Sequence, residues 1–160
     1  SNFLIPLFKS SIKLNFYIYG AGDYLNILTP LIETNSYYVH YKGSYNNSDL
    51  PEILKNYDIG FVSYPNDTVN NKFCSPNKVF DYCSLGLPVL ALYNYNLSKI
   101  IKKFNIGFCS DDLFEAIDNL IMNYDYYQEI VRLIDFKPYW NNKESEILNY
   151  IAKLLDNENQ

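Results

Sequence analysis

Short apolar runs alternate along this chain with stretches whose apolar residues fall three and four apart, the respective marks of strands and amphipathic helices. Residues 3–10 carry the pattern of the end of an amphipathic helix. Residues 13–19 predict a strand that ends at Gly20-Ala21-Gly22-Asp23, and residues 24–32 predict the helix after it. A second strand over 37–42 closes at Gly43. Ser48 or Asp49 is expected to cap a helix running through Asn56, and the apolar content of 58–63 predicts a third strand buried on both faces, with Asp58 hydrogen-bonding at its entrance. Residues 64–73 read as a polar loop, of a length that at a strand's carboxyl end often carries binding residues.

The most informative stretch runs from Cys74 to Leu92. Ser75 is a good N-cap and Pro76 suits the first helical position, so a helix should start there, while Gly86 supplies a left-handed stop before a buried strand over 88–92. Val79, Phe80 and Cys83 share one helix face; Asn77, Lys78 and Asp81 form a polar stripe on another. Two readings of the stripe stand side by side. In one, the free N–H groups at Ser75, Pro76 and Asn77 seat a phosphate, Lys78 adds a cation, and Asp81, about 6 Å further along the axis, reaches a sugar hydroxyl. In the other, it is a solvated face with an i,i+3 Lys78–Asp81 pair that contributes only ~0.2–0.5 kcal/mol.

Beyond it, residues 97–104 predict a helix and Gly107-Phe-Cys a short strand. Asp111 or Asp112 should cap a helix whose core face is Leu113, Ile117, Leu120 and Ile121. Two more helical patterns follow, over 126–134 and 144–155, the second burying Ile147, Leu148, Ile151, Leu154 and Leu155, with Pro138 breaking the link between them and Trp140 and Tyr139 as packing anchors. Strands alternating with helices imply an α/β, Rossmann-like parallel sheet with helices on both faces and ligands beyond the carboxyl ends of its strands. The turn at Gly20 and Gly22, the turn at Gly43, Ser44 and Tyr45, the 64–73 loop and the start of the central helix all fall on that edge.

At 160 residues with 48% hydrophobic and 19% charged content, the chain fits one ordinary folded domain, over 1–160, with 136–160 as a C-terminal linker and helix. The net charge of −5 offers no basic footprint, so nucleic acid is not an expected partner. No apolar run reaches about 18 residues and no signal peptide opens the chain, which points to a cytoplasmic domain. Cys74, Cys83 and Cys109 lack metal-ligand spacing and read as reduced thiols, no metal being expected. His40, the single histidine, reads as a strand residue without a catalytic or metal role, and the many Tyr and Asn residues as base-composition bias. Gly20-Ala-Gly22 after a strand hints at a dinucleotide fingerprint, but Leu25 stands where its third glycine belongs.

Four segments in order, Ile18-Tyr-Gly-Ala-Gly, Tyr41-Lys-Gly, Asp49-Leu-Pro-Glu-Ile-Leu-Lys-Asn-Tyr-Asp-Ile-Gly-Phe-Val-Ser and Pro76-Asn-Lys-Val-Phe-Asp-Tyr with Gly86-Leu-Pro-Val, resemble the C-terminal, donor-binding half of a GT-B glycosyltransferase of the group 1 (family 4) type. The resemblance implies a site for a UDP- or GDP-linked sugar and a metal-free, retaining transfer of a hexose-type sugar. By that resemblance Asp81 stands where the family places the Glu that binds the donor ribose. The backbone at Ser75, Pro76 and Asn77, with Lys78, would hold the diphosphate or sugar; Gly43 and Ser44 would border the base; Gly20 and Gly22 would let the chain turn near the ligand. Two departures stand out. The first Glu of the family's Glu-x7-Glu falls at Phe73, and the diphosphate-clamping Arg and Lys follow a first strand that this chain lacks. The resemblance therefore implies a fragment of a two-domain enzyme that is inactive alone, with a glycan or lipid-linked acceptor bound through a missing N-terminal domain and peripheral association at the inner membrane face. The catalytic residue is unassigned. Two rivals are a GT-B-like UDP-sugar epimerase fragment, for which the chain lacks further histidines, and a non-catalytic α/β interaction module.

Overall fold

The computed structural model describes residues 14–22, 25–34, 37–64, 66–73 and 77–134. Along them run β1 (Phe16–Ile18), α1 (Leu25–Thr34), β2 (Val39–Tyr41), α2 (Leu50–Leu54), β3 (Gly60–Val62), α3 (Val69–Phe73), α4 (Asn77–Ser84), β4 (Val89–Leu92), α5 (Tyr95–Phe104), β5 (Gly107–Ser110), α6 (Leu113–Met122) and α7 (Tyr124–Leu133). Every strand pairing is parallel: β1 with β2, Tyr17 opposite His40, and β3–β4–β5 in that order, Phe61 opposite Leu90 and Leu90 opposite Phe108. The expected Rossmann-like α/β layering is present, as two parallel sheets among the described residues rather than one.

The period of two along β4 sets the layers. Val89 and Ala91 point into a cluster with Val79, Phe80 and Cys83 of α4, Leu97 and Ile101 of α5, and Val131 of α7. Leu90, on the other face, packs with Leu113, Ala116, Ile117 and Leu120 of α6. Val89, Leu90 and Ala91 are all buried, as a strand covered by helices on both faces must be. Leu14 and Phe16 pack against the α6 cluster, so both sheets share that layer.

Local chemistry explains most boundaries. Asp112 caps α6, its carboxylate accepting from the N–H of Phe114 at 2.8 Å and of Glu115 at 3.3 Å. Gly86, at φ 81°, ends α4 with the N–H of Leu87 on the carbonyl of Tyr82 and its own N–H on that of Cys83, the paired bonds of a Schellman stop. At Gly60 the contact is close: a Cβ there would overlap the Tyr82 ring, so α4 lies directly on β3.

Four expectations are corrected. Asp49 stands at the N-cap of α2, as expected, but its side chain makes no cap bond: the chain enters through a 3-10 turn (Asn47–Asp49), Asp49 has helical dihedrals, and Pro51 occupies the first turn, where no N–H needs a partner. Within 64–73, α3 forms one turn, started by Thr68 accepting from the N–H of Asn71 at 3.0 Å. α5 begins at Tyr95 because Asn94, fully buried, accepts from the N–H of Asn96 and of Leu97, both at 3.2 Å. Ile121 is exposed; Ala116 fills the α6 face instead. The patterns at 3–10 and 144–155, the 136–140 link, Trp140, Cys74, Ser75 and Pro76 lie outside the described residues. Among those described, no helix is long and apolar enough to cross a membrane.

Candidate functional site

The carboxyl ends of β1 and β2 are laced together. Gly20, at φ 134°, donates its N–H to the carbonyl of Gly43 at 2.8 Å and accepts at its own carbonyl from the Tyr41 hydroxyl at 2.7 Å; Gly43 follows at φ 81°. Those dihedrals suit glycine, yet a Cβ at either position would meet nothing within 4 Å. The turns therefore open onto free space. Gly22 is also open, but its φ is ordinary and nothing local requires glycine there. Ser44 is exposed beside Gly43.

The loop that leaves Ser44 brings Tyr45 across to α4. The Lys78 ammonium lies 5.5 Å from the Tyr45 ring centroid while donating to Asp81 Oδ2 at 3.2 Å. Burial disfavours the charged lysine, but the Tyr45 and Asp81 interactions outweigh it, so the Lys78 pKa is raised and the ammonium persists at neutral pH. Both side chains of the ion pair are about a third exposed, 35% and 36%, so the pair itself contributes at most ~0.5 kcal/mol. The solvated-face reading correctly describes that pair. What the helix alone does not predict is Tyr45, delivered from β2 and set edge-on to Tyr19 of the β1 end at 6.1 Å.

An ammonium has three donors, and Lys78 places one of them on Asp81 beside the Tyr45 ring. Asp81 Oδ1 accepts from no donor among the described residues. Ammonium N–H groups and one carboxylate oxygen are thus presented together, with Asn77 exposed one turn before Asp81. Tyr82, on the neighbouring face, is partly buried against Gly60, and that burial pushes its phenol pKa up and leaves it a packing group. His40 stacks on Tyr17 at 4.8 Å and reaches Asn15 at 3.3 Å, on the outer face of β2. No cluster of metal-ligating side chains occurs among the described residues.

The 64–73 segment is seated over the same edge by asparagines. Asn66 donates to the Tyr93 carbonyl at 3.0 Å, Asn94 to the Asn71 carbonyl at 2.8 Å and Asn96 to the Phe73 carbonyl at 3.4 Å. The sequence places Tyr45 in the turn at that edge but does not show its approach to Lys78, and the bonds of these asparagines were missed. Their types recur so often here that no local signal separates them. A shallow concavity at 121–126 wraps the α6–α7 turn, at the opposite, amino edge, where the Tyr124 hydroxyl donates to the carbonyl of Asp58 just before β3. It shares no residue with the edge described.

An ammonium, a carboxylate and two open glycine turns thus lie at the carboxyl edge of the strands, the edge where open α/β sheets bind their ligands. Residues 9–137 match the family model described as Glucosyltransferase 3-like, C-terminal domain, and the chain belongs to that family. It is a glycosyltransferase C-terminal domain, of a class of enzymes that works between a sugar donor and an acceptor. No curated protein and no solved structure matches it.

Proposed function

We propose that this chain is the donor-binding domain of a retaining, metal-independent glycosyltransferase of GT-B architecture, taking a UDP- or GDP-linked hexose at the carboxyl edge. The observation that carries the reading is the Lys78–Asp81 pair held by Tyr45 beside the Gly20 and Gly43 turns. A Lys78 N–H not used on Asp81 would meet a diphosphate oxygen near the α4 start, where unpaired backbone N–H groups favour an anion. Asp81 Oδ1 would accept from a ribose hydroxyl, and the two turns, bare of Cβ, would border the base with Ser44. When the bond from the sugar carbon to the diphosphate oxygen breaks, its electron pair stays on that oxygen, and the one further negative charge that develops there is what Lys78 and the helix start would stabilise. The acceptor, a glycan or lipid-linked saccharide, would be presented by an N-terminal domain at the cytoplasmic face of the membrane, so the isolated chain binds donor without transferring it.

The test is amide chemical-shift mapping of the chain with UDP-glucose and GDP-mannose. Shifts at Gly20, Gly43, Ser44, Tyr45, Lys78 and Asp81 support the reading. Shifts confined to 121–126, or none with either nucleotide sugar, overturn it. Sugar transfer by the isolated chain would overturn its last clause.

A further inference from the structure

Charge is segregated on this molecule. The chain carries −5 overall, yet α3 and α5 contain no Asp or Glu and present Lys72, Lys99, Lys102 and Lys103. On α5 the buried residues Leu97 and Ile101 define the inner face, and Tyr95, Lys99 and Lys102, at i, i+4 and i+7, form one stripe opposite it, with Lys103 beside them. α3 extends this stripe. The Phe73 ring meets that of Tyr95 edge-on at 5.4 Å, and the Lys72 ammonium lies 5.6 Å from the Phe73 centroid and 5.5 Å from that of Tyr95. Lys99 lies 4.0 Å from the Tyr95 centroid and donates to its hydroxyl at 2.7 Å. Among the described residues, no carboxylate is within 4.0 Å of any of the four ammoniums. Large apolar surface is exposed alongside: Val69 is 77% exposed, Phe73 55% and Tyr93 41%.

We propose that this α3–α5 face is a docking surface for an anionic lipid bilayer, independent of what the carboxyl edge binds. Aromatic rings ringed by lysines whose stems lie on apolar surface suit the headgroup layer, where rings anchor at the acyl boundary and ammoniums reach lipid phosphates. A soluble polyanion would use the lysines but give no role to exposed Val69 and Phe73. Base stacking is disfavoured because lysines already lie over the rings of Tyr95 and Phe73. The stripe follows one outer helix face, a shape that meets a plane.

The test is co-sedimentation of the chain with vesicles of phosphatidylglycerol and phosphatidylcholine, against phosphatidylcholine alone. Binding should require phosphatidylglycerol, weaken at high salt, and fall by roughly a hundredfold in K72Q/K99Q/K102Q/K103Q. V69S/F73S should weaken binding while leaving its salt dependence, and circular dichroism should show both variants folded, since the substituted side chains are exposed. Equal binding to neutral vesicles, an unchanged quadruple variant, or binding to a deoxythymidine oligonucleotide without binding to vesicles would overturn the proposal. Vesicle binding is read without nucleotide sugar, so its outcome is separate from that of the donor titration.

Discussion

The position of α4, and with it Lys78 and Asp81, depends on the contact between Gly60 and Tyr82. Gly60 is buried in β3, and a Cβ at that position would fall within the Tyr82 ring. Gly60→Ala must therefore displace the ring or the helix, an overpacking change costing about 1–3 kcal/mol. Tyr82→Ala alone removes a largely buried ring and should cost about 2–4 kcal/mol. In the Tyr82→Ala background the methyl added by Gly60→Ala enters the space the ring has left, so its cost should fall to near zero. The double-mutant cycle then yields a coupling of about 1–3 kcal/mol. Urea unfolding gives each free energy, and for a chain of this length about 2–4 °C of Tm accompanies each kcal/mol. If Gly60→Ala costs the same with and without the Tyr82 ring, the contact does not fix α4 and the reasoning fails.

Asn94→Ala should destabilise by about 2 kcal/mol in urea unfolding, because it removes a fully buried cap and orphans two N–H groups and the Asn71 carbonyl. An effect under half that would show the cap to be replaceable by solvent. Burial pushes the Cys83 thiol from 9.0 up to about 12. Its stabilising contribution is complete below the unfolded pKa, since neither state has then lost the proton. Above it the unfolded thiol ionises while the folded one does not, so stability falls by up to about 1.4 kcal/mol per pH unit until the folded pKa is passed. In alkaline urea titrations Cys83→Ala should show a shallower decline than the parent chain between pH 9.0 and about 12; identical slopes would contradict the assignment.

What the sequence made legible is what period and punctuation encode. The continuous apolar run at β4, the three-and-four spacing of Leu113, Ile117 and Leu120, the Asp112 cap and the Gly86 stop all act within one turn or strand, and the structure keeps them. What escaped depends on tertiary bonds. α3 is a single turn, too short to be stable alone, and it persists because Asn94 and Asn96 hold its carbonyls from the start of α5. Ile121 matches the α6 spacing but lies a step beyond the arc that faces the sheet. At the candidate site, Lys78 and Asp81 are visible as a stripe on one helix. Their third member, Tyr45, arrives from a different strand, and no spacing rule links residues so far apart in the chain.

The most direct test of the donor-site account is isothermal titration of the chain with UDP, GDP, ADP and their sugar conjugates, repeated on Asp81→Ala and Lys78→Met. The account predicts selective binding of a uridine or guanosine diphosphate sugar. It further predicts that Asp81→Ala weakens the nucleoside diphosphate and its conjugate alike, and that Lys78→Met loses about tenfold or more, the scale of one charge-assisted phosphate contact. Binding that is indifferent to both substitutions, or selective for none of the three nucleotides, would contradict it.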